Sequence, residues 1–228
     1  RGLGDVYKRQ TPGLATQVCR EIGRRIVAGL FPEGQFIDDE NRLCDRFNVS
    51  KSVVREAIKI LVSKGLLEVR RGNGTKVKPR SSWNLLDDDV LAWHLGTDPK
   101  PDFLKKLIDI RLMIEPNAAY WAASTASSSQ IDEIRNSHND MEKASNIQEF
   151  VIADAKFHRA VLRAANNELL TSMDGVIFSA LLTSIKITNN DPIDNRTRSL
   201  PLHLKILRSI EMHDKEGAQV AMRGHLAD

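Results

Sequence analysis

The chain has 228 residues, 41% of them apolar and 28% charged, with a formal net charge of +3; this is enough apolar material for the core of one large or two modest domains. No run approaches the roughly 18 consecutive apolar residues that a membrane span needs, and no charged-then-apolar leader opens the chain. No membrane association is therefore expected, and a cytoplasmic location is. The two cysteines, Cys19 and Cys44, lack CxxC or Cys/His spacing, so neither a disulfide framework nor a cysteine zinc site is supported, and both read as core residues.

Residues 1–10, RGLGDVYKRQ, contain the translation of an adapter sequence used in DNA library preparation and are expected to be non-native. The chain stops at Asp228 within an apparent helix, so a truncated C-terminus is also expected. Charge is uneven along the rest. Residues 11–80 carry 14 Lys/Arg against 8 Asp/Glu, whereas residues 81–228 carry 16 against 21. A basic head on an acidic body suits a nucleic-acid-binding domain joined to one with another task.

Within the basic third, Leu14, Val18, Ile22 and Ile26 recur every four residues and predict an amphipathic helix, ending near Gly29 before the turn Pro32-Glu33-Gly34. A second short helix fits Glu40 to Phe47, with Leu43 and Phe47 inward. Asn48-Val49-Ser50 then forms a turn whose serine can cap a third helix. That helix places Val54, Ala57, Ile58 and Leu61 on one face and Lys51, Ser52, Arg55 and Lys59 on the other. Helix, tight turn and basic-faced helix is the arrangement that enters the major groove of DNA. After Gly65 the period changes: Leu66 to Arg70 and Thr75 to Lys78 read as two strands around Arg71-Gly72-Asn73-Gly74. Such a hairpin beside a recognition helix is a wing, able to approach a sugar-phosphate backbone; taken alone it is also compatible with a plain structural turn.

Pro32-Glu33-Gly34, Glu40, Leu43, the run Val49 to Ala57, Leu61, Lys64-Gly65-Leu66 and Gly72 to Val77 together resemble the DNA-binding domain of the bacterial GntR family of transcription regulators. The resemblance implies a homodimer on a palindromic double-stranded operator, with Ser50, Lys51, Ser52, Arg55, Gly72, Asn73 and Lys76 as the DNA-binding residues. One departure is Lys51, where the family usually carries arginine; lysine lacks arginine's planar two-pronged contact to guanine. For Arg55 an ion pair within the domain is the competing reading.

Residues 80–100, with Trp83 and the acidic Asp87-Asp88-Asp89, read as a linker and short helix. Beyond them only helical periods appear, over 102–123, 129–144, 147–165, 167–188, 197–213 and 215–227, with breaks at Ser127-Ser128 and Asn189 to Pro192. The fold class is therefore mainly α: a winged helix-turn-helix with a small β-hairpin over 11–79, then an all-α antiparallel bundle over 101–228. In this bundle Asp154 and His158 are i,i+4 and project from one helix face. His203 and His225 lie on the last two helices, and an antiparallel pair can bring them to one level. Asp and three His suit zinc or another divalent first-row metal, nickel and manganese included.

Asp154 to His158, Leu162, Ala165, Asn167, Leu170, then His203, Ile206, Ile210, Asp214, Ala218, Met222 and His225-Leu226, with Arg111 to Glu115 and Ala118-Ala119 upstream, resemble the FCD effector-binding domain of FadR-like GntR regulators. The resemblance implies that Asp154, His158, His203 and His225 bind a metal that helps hold a small carboxylate effector. Leu202 departs from it, since an acidic residue often precedes that histidine. Arg111 falls in a heptad-like series with Leu104, Ile108 and Glu115 that turns its guanidinium inward, where it needs an anion: either Glu115 or the effector. Asn167 is a candidate effector ligand or a helix cap. The stretch Trp83 to Asp87 with Asp89-Val90-Leu91 and Trp93 resembles the galactonate-responsive members, which points to an aldonate such as galactonate, ahead of other hydroxy acids or dicarboxylates. The functional expectation is a repressor of a sugar-acid catabolic operon released from its operator by that effector. Two other readings are a metal-dependent helical-bundle enzyme, for which no second carboxylate or nucleophile is recognisable, and a constitutive DNA-binding factor with a structural metal.

Overall fold

The computed structural model describes residues 13–96, 101–173, 175 and 192–227, which fall into two compact units, one ending at Asp98 and the other beginning at Pro99. The first unit opens with α1 (Leu14–Val27), α2 (Glu40–Phe47) and α3 (Lys51–Ser63), followed by an antiparallel pair of strands, β1 (Leu67–Arg70) and β2 (Gly74–Val77). Helices α1 and α3 form because apolar residues recur on one side, and that side builds the core: Val18, Ile22 and Ile26 meet Val54, Ala57 and Leu61. Leu14, expected in the same stripe, is instead 57% exposed because it starts the first turn and overhangs the core. Cys19 is buried in the apolar cluster, which pushes its thiol up to about 12 and leaves it unreactive.

Asp39 caps α2 by accepting from the Arg42 N–H, and Asn48 ends it in the left-handed conformation. The turn into the strands depends on Gly65: its φ is +78°, and a β-carbon there would stand 2.2 Å from the Ser82 carbonyl oxygen. The hairpin register pairs Leu67 with Val77 and Arg70 with Gly74. A feature not read from the sequence is a third edge: the Ile37 and Val77 N–H groups donate to Thr75 and Gln35 carbonyls, so residues 35–37 pair with β2 and anchor the hairpin base.

The segment after the hairpin folds back on this unit. One turn of 3-10 helix (Arg80–Ser82) leads to α4 (Asp88–Gly96), and Trp83, Val90 and Trp93 are buried in the same core as Ile22 and Leu61. Lys64 fastens the start of α4 through ion pairs to Asp87 at 2.7 Å and Asp89 at 2.9 Å.

The second unit is helical: α5 (Pro101–Thr125), α6 (Ser128–Lys143), α7 (Ile147–Ala164), the short α8 (Glu168–Thr171), α9 (Pro192–Glu211) and α10 (Lys215–Ala227). Its start signals are local. Ser127 and Gln130 form a capping box at α6, and Asn146 caps α7 through the Glu149 N–H. Helix α7 packs on both α5 and α6, α10 packs on α5 and α9, and Phe157, Ile134, Ile206, Ile210 and Met222 fill the space between them. The described helices agree with the expected periods to within a few residues, except that α9 already begins at Pro192. Most of the helix expected over 167–188 lies outside the described residues. The mainly helical fold class expected from sequence stands, with a two-stranded hairpin in the first unit and a helical bundle in the second.

Candidate functional site

Helix α7 lies at the centre of the second unit and carries Asp154 and His158 one turn apart, both buried. Helix α9 brings His203 and α10 brings His225 to the same point, so that one ligand atom from each of the four residues lies within 4.8 Å of the others. His158 Nε2 is 3.3 Å from His203 Nε2 and 3.3 Å from His225 Nε2, and Asp154 Oδ1 is 2.7 Å from His203 Nε2. Ligands at ordinary zinc–nitrogen distances in a tetrahedral set stand about 3.4 Å apart. The two His–His separations match that spacing, while Asp154 and His203 stand at hydrogen-bonding distance.

Two further observations fit a cation there. Asp154 Oδ1 is buried with only imidazole nitrogens of the cluster beside it, and the three Nε2 atoms converge with at most one proton each to share among them. Burial pushes the Asp154 carboxyl up, but the imidazoles of His203 and His158 outweigh this and hold it well below the usual carboxylate range. Burial and the neighbouring His203 and His158 together hold His225 well below the ordinary imidazole value, which favours the neutral, ligating form. The residues fit a divalent metal, and Asp154, His158, His203 and His225 are the ones that would hold it.

The imidazoles are oriented from behind. His203 Nδ1 faces the Ser199 carbonyl at 2.9 Å, and Phe157 packs edge-on against its ring. Behind His158 stands Glu115 of α5, whose Oε2 is 2.5 Å from Nδ1, close enough to require a shared proton although the oxygen sits off the ideal N–H direction. The other oxygen of Glu115 accepts from Arg111 Nε at 2.5 Å. Burial pushes the Glu115 carboxyl up, yet Arg111 and His158 bring it down to about 2, so it is an anion 1% exposed. The internal Arg111–Glu115 pair weighed from sequence is therefore present. Among the described residues it leaves Arg111 Nη2 buried with no hydrogen-bond partner, a donor available to an anion.

Asn167 caps α8 by accepting from the Leu169 and Leu170 N–H groups, so its oxygen is already engaged. The contact of Glu115 with His158 was not foreseen. Its one signal in the sequence was the i,i+4 spacing to Arg111; its distance along the chain from His158 hid the rest.

In the first unit Ser50, Lys51, Ser52 and Arg55 are exposed at the start of α3, and Gly72 and Asn73 at the hairpin tip, while Lys76 is half-buried on β2. Gly72 adopts φ +77°, which the tight tip requires. Ser50 does not cap α3: its hydroxyl lies 2.8 Å from that of Ser52, and no side chain satisfies the first amides of the helix. Arg55 makes an exposed ion pair with Glu40 at 3.0 Å.

Residues 14–77 match the family described as bacterial regulatory proteins, gntR family, and residues 106–228 match the FCD domain. The chain is 32% identical over 201 residues to the galactonate operon transcriptional repressor of Escherichia coli strain K12, spanning 88% of each protein. It is 26% identical over 219 residues to the Glc operon transcriptional activator of the same strain, spanning 92% of this chain and 84% of that one. It is 27% identical over 205 residues to the regulator LutR of Bacillus subtilis, spanning 88% and 92%. Among solved structures it matches Lar of Listeria monocytogenes with a TM-score of 0.62 over 94% and 93% of the two chains, at 17% identity, which is a likeness of fold. The chain belongs to the GntR family of bacterial regulatory proteins and carries an FCD domain, which makes it a DNA-binding transcription regulator and not an enzyme.

Proposed function

We propose that this regulator represses a sugar-acid catabolic operon and leaves its operator when a small carboxylate, an aldonate such as galactonate first among them, binds at a metal site in the second unit. The observation that carries the reading is the cluster of buried Asp154, His158 and His203 with half-buried His225, beside the Arg111 Nη2 donor in the same helical unit. The 32% identity to the galactonate operon transcriptional repressor of Escherichia coli supports the effector class. Zinc suits three imidazoles and a carboxylate, with nickel and manganese next. When bound, the metal supplies a Lewis-acidic centre for a carboxylate and its neighbouring hydroxyl.

Around it the chain's own groups orient and select. Asp154 and the histidines hold the cation, Arg111 donates to a carboxylate, and Phe157 walls one side. In the first unit, Ser50, Lys51, Ser52 and Arg55 present the unsatisfied start of α3 to phosphates and base edges, with Gly72, Asn73 and Lys76 against the backbone. The protein acts in the cytoplasm as a homodimer on a palindromic site, and the effector alters the arrangement of the two recognition helices only through its different affinity for the two states. Operator binding by the metal-loaded protein is titrated with aldonates, uronates and dicarboxylates, beside His203→Ala. Release by one acid in the parent protein, lost in the variant, is the expected result. Tight operator binding unmoved by any acid refutes the sensor reading.

A further inference from the structure

Of the three histidines at the centre, two have an acceptor beside their rear nitrogens, off the ideal N–H direction in the case of His158, and the two acceptors differ in kind. His203 Nδ1 faces a neutral carbonyl, that of Ser199. His158 Nδ1 faces an anion, Glu115, buried between it and Arg111. His225 Nδ1 is buried without a partner. At 2.5 Å two lone pairs would repel, so the proton between Glu115 and His158 belongs on Nδ1, and it is the Nε2 proton that a bound metal would displace. A carboxylate behind a ligating imidazole fixes the tautomer, fixes the ring plane and makes the forward nitrogen a stronger donor. The ring is also held from its side by the edge of Phe157, at 5.9 Å between centroids.

We propose that Glu115 is the positioning residue of this centre: one carboxylate oxygen sets His158 for the metal, and the other holds Arg111 where its Nη2 is left free for a carboxylate. This rests on the metal-assisted sensor reading and deepens it, because one buried side chain then connects the cation's ligand to the anion's donor. Removing Glu115 loosens the metal without deleting a ligand. It also leaves the Arg111 guanidinium without its counter-charge in a buried place.

The test is zinc affinity of the intact chain by competition with a chromophoric chelator, for the parent protein, Glu115→Gln, Glu115→Ala and His203→Ala as a control on the site itself. Both Glu115 variants are expected to bind zinc about 10- to 100-fold more weakly, the range for loss of an outer partner of a ligating histidine. Cobalt-loaded Glu115→Gln is expected to show a shifted visible absorption, because the His158 ring is no longer held. Parental affinity and spectrum in Glu115→Gln, with zinc lost in His203→Ala, overturn the positioning role and leave the metal centre standing. Parental affinity in all three variants overturns the centre as well. Should Glu115→Ala fail to fold, nitrogen-15 imidazole spectra of the zinc-loaded parent decide: a far-downfield, exchange-protected Nδ1 proton on His158 supports the assignment, and an unprotonated His158 Nδ1 refutes it.

Discussion

In the first unit the core around Ile22, Val54 and Leu61 is built from apolar side chains, and the polar residues proposed to meet DNA stand in solvent; in the second, Glu115, Asp154, His158 and His203 are as buried as Phe157 and Leu162 beside them. Lys51 stands in solvent and Arg55 pairs with Glu40 at the surface, so the first unit folds without burying the charges proposed to meet DNA. Buried carboxylates and imidazoles have lost water, and their pairing has to offset that loss. On the proposed reading, the second unit's stability depends on the cation it binds, whereas the first unit's does not depend on DNA.

The sharpest way to break this contrast is to remove the metal. Saturating zinc at about 1,000 times its dissociation constant is expected to add about 4 kcal/mol to the unfolding free energy of the second unit. Calorimetry with and without chelator checks it, and a first unit that shifts equally sinks the contrast. Next in size, Arg55→Ala is expected to weaken operator binding by about 1–3 kcal/mol while metal content, read by atomic absorption, stays at the parental value. Its exposed pair with Glu40 contributes little to folding. Metal lost with DNA affinity intact would contradict that assignment.

A smaller expected effect is the pH dependence of the metal-free protein. Burial disfavours the His158 cation, but Glu115 and Asp154 outweigh it and lift the imidazole from the usual 6.5 to about 9. Its stabilising contribution is complete below pH 6.5 and is lost as pH rises towards 9. His225, held below the usual value, acts the other way but only below pH 6.5. Between pH 6.5 and 9 the metal-free second unit should therefore melt at progressively lower temperature, while its zinc affinity rises as His158 gives up its proton. Smallest of all, Asn167→Ala removes the α8 cap and should cost about 1 kcal/mol with zinc affinity unchanged. A large loss of effector response at parental stability would instead assign Asn167 to the effector.

Much of this was legible in the chain because it is local. The stripe of Val18, Ile22 and Ile26, the α2–α3 turn at Asn48, the hairpin glycines and the one-turn spacing of Asp154 and His158 are each set by a few neighbouring residues and the period of the element they form. The approach of His203 and His225 to α7 was legible only through the family resemblance, since an antiparallel pair permits many registers. Two features were hidden because they depend on how distant segments meet: the contact of Glu115 on α5 with His158 on α7 and the pairing of residues 35–37 with β2. An ion pair of Arg55 within the domain was one of the two readings the sequence offered, and only its partner, Glu40, was not legible. Ser50 had the chemistry of a cap, but Ser52 took up its hydroxyl.

Gly23 on α1 lies directly under the Trp93 ring of α4, so close that a β-carbon would stand 2.3 Å from the indole. With Lys64 clamping the other end of α4, the chain leaves the first unit at the end of a seated helix and not from the strand that precedes it. Residues 88–96 are therefore part of the reading head's own frame and not a tether that hangs from its strands.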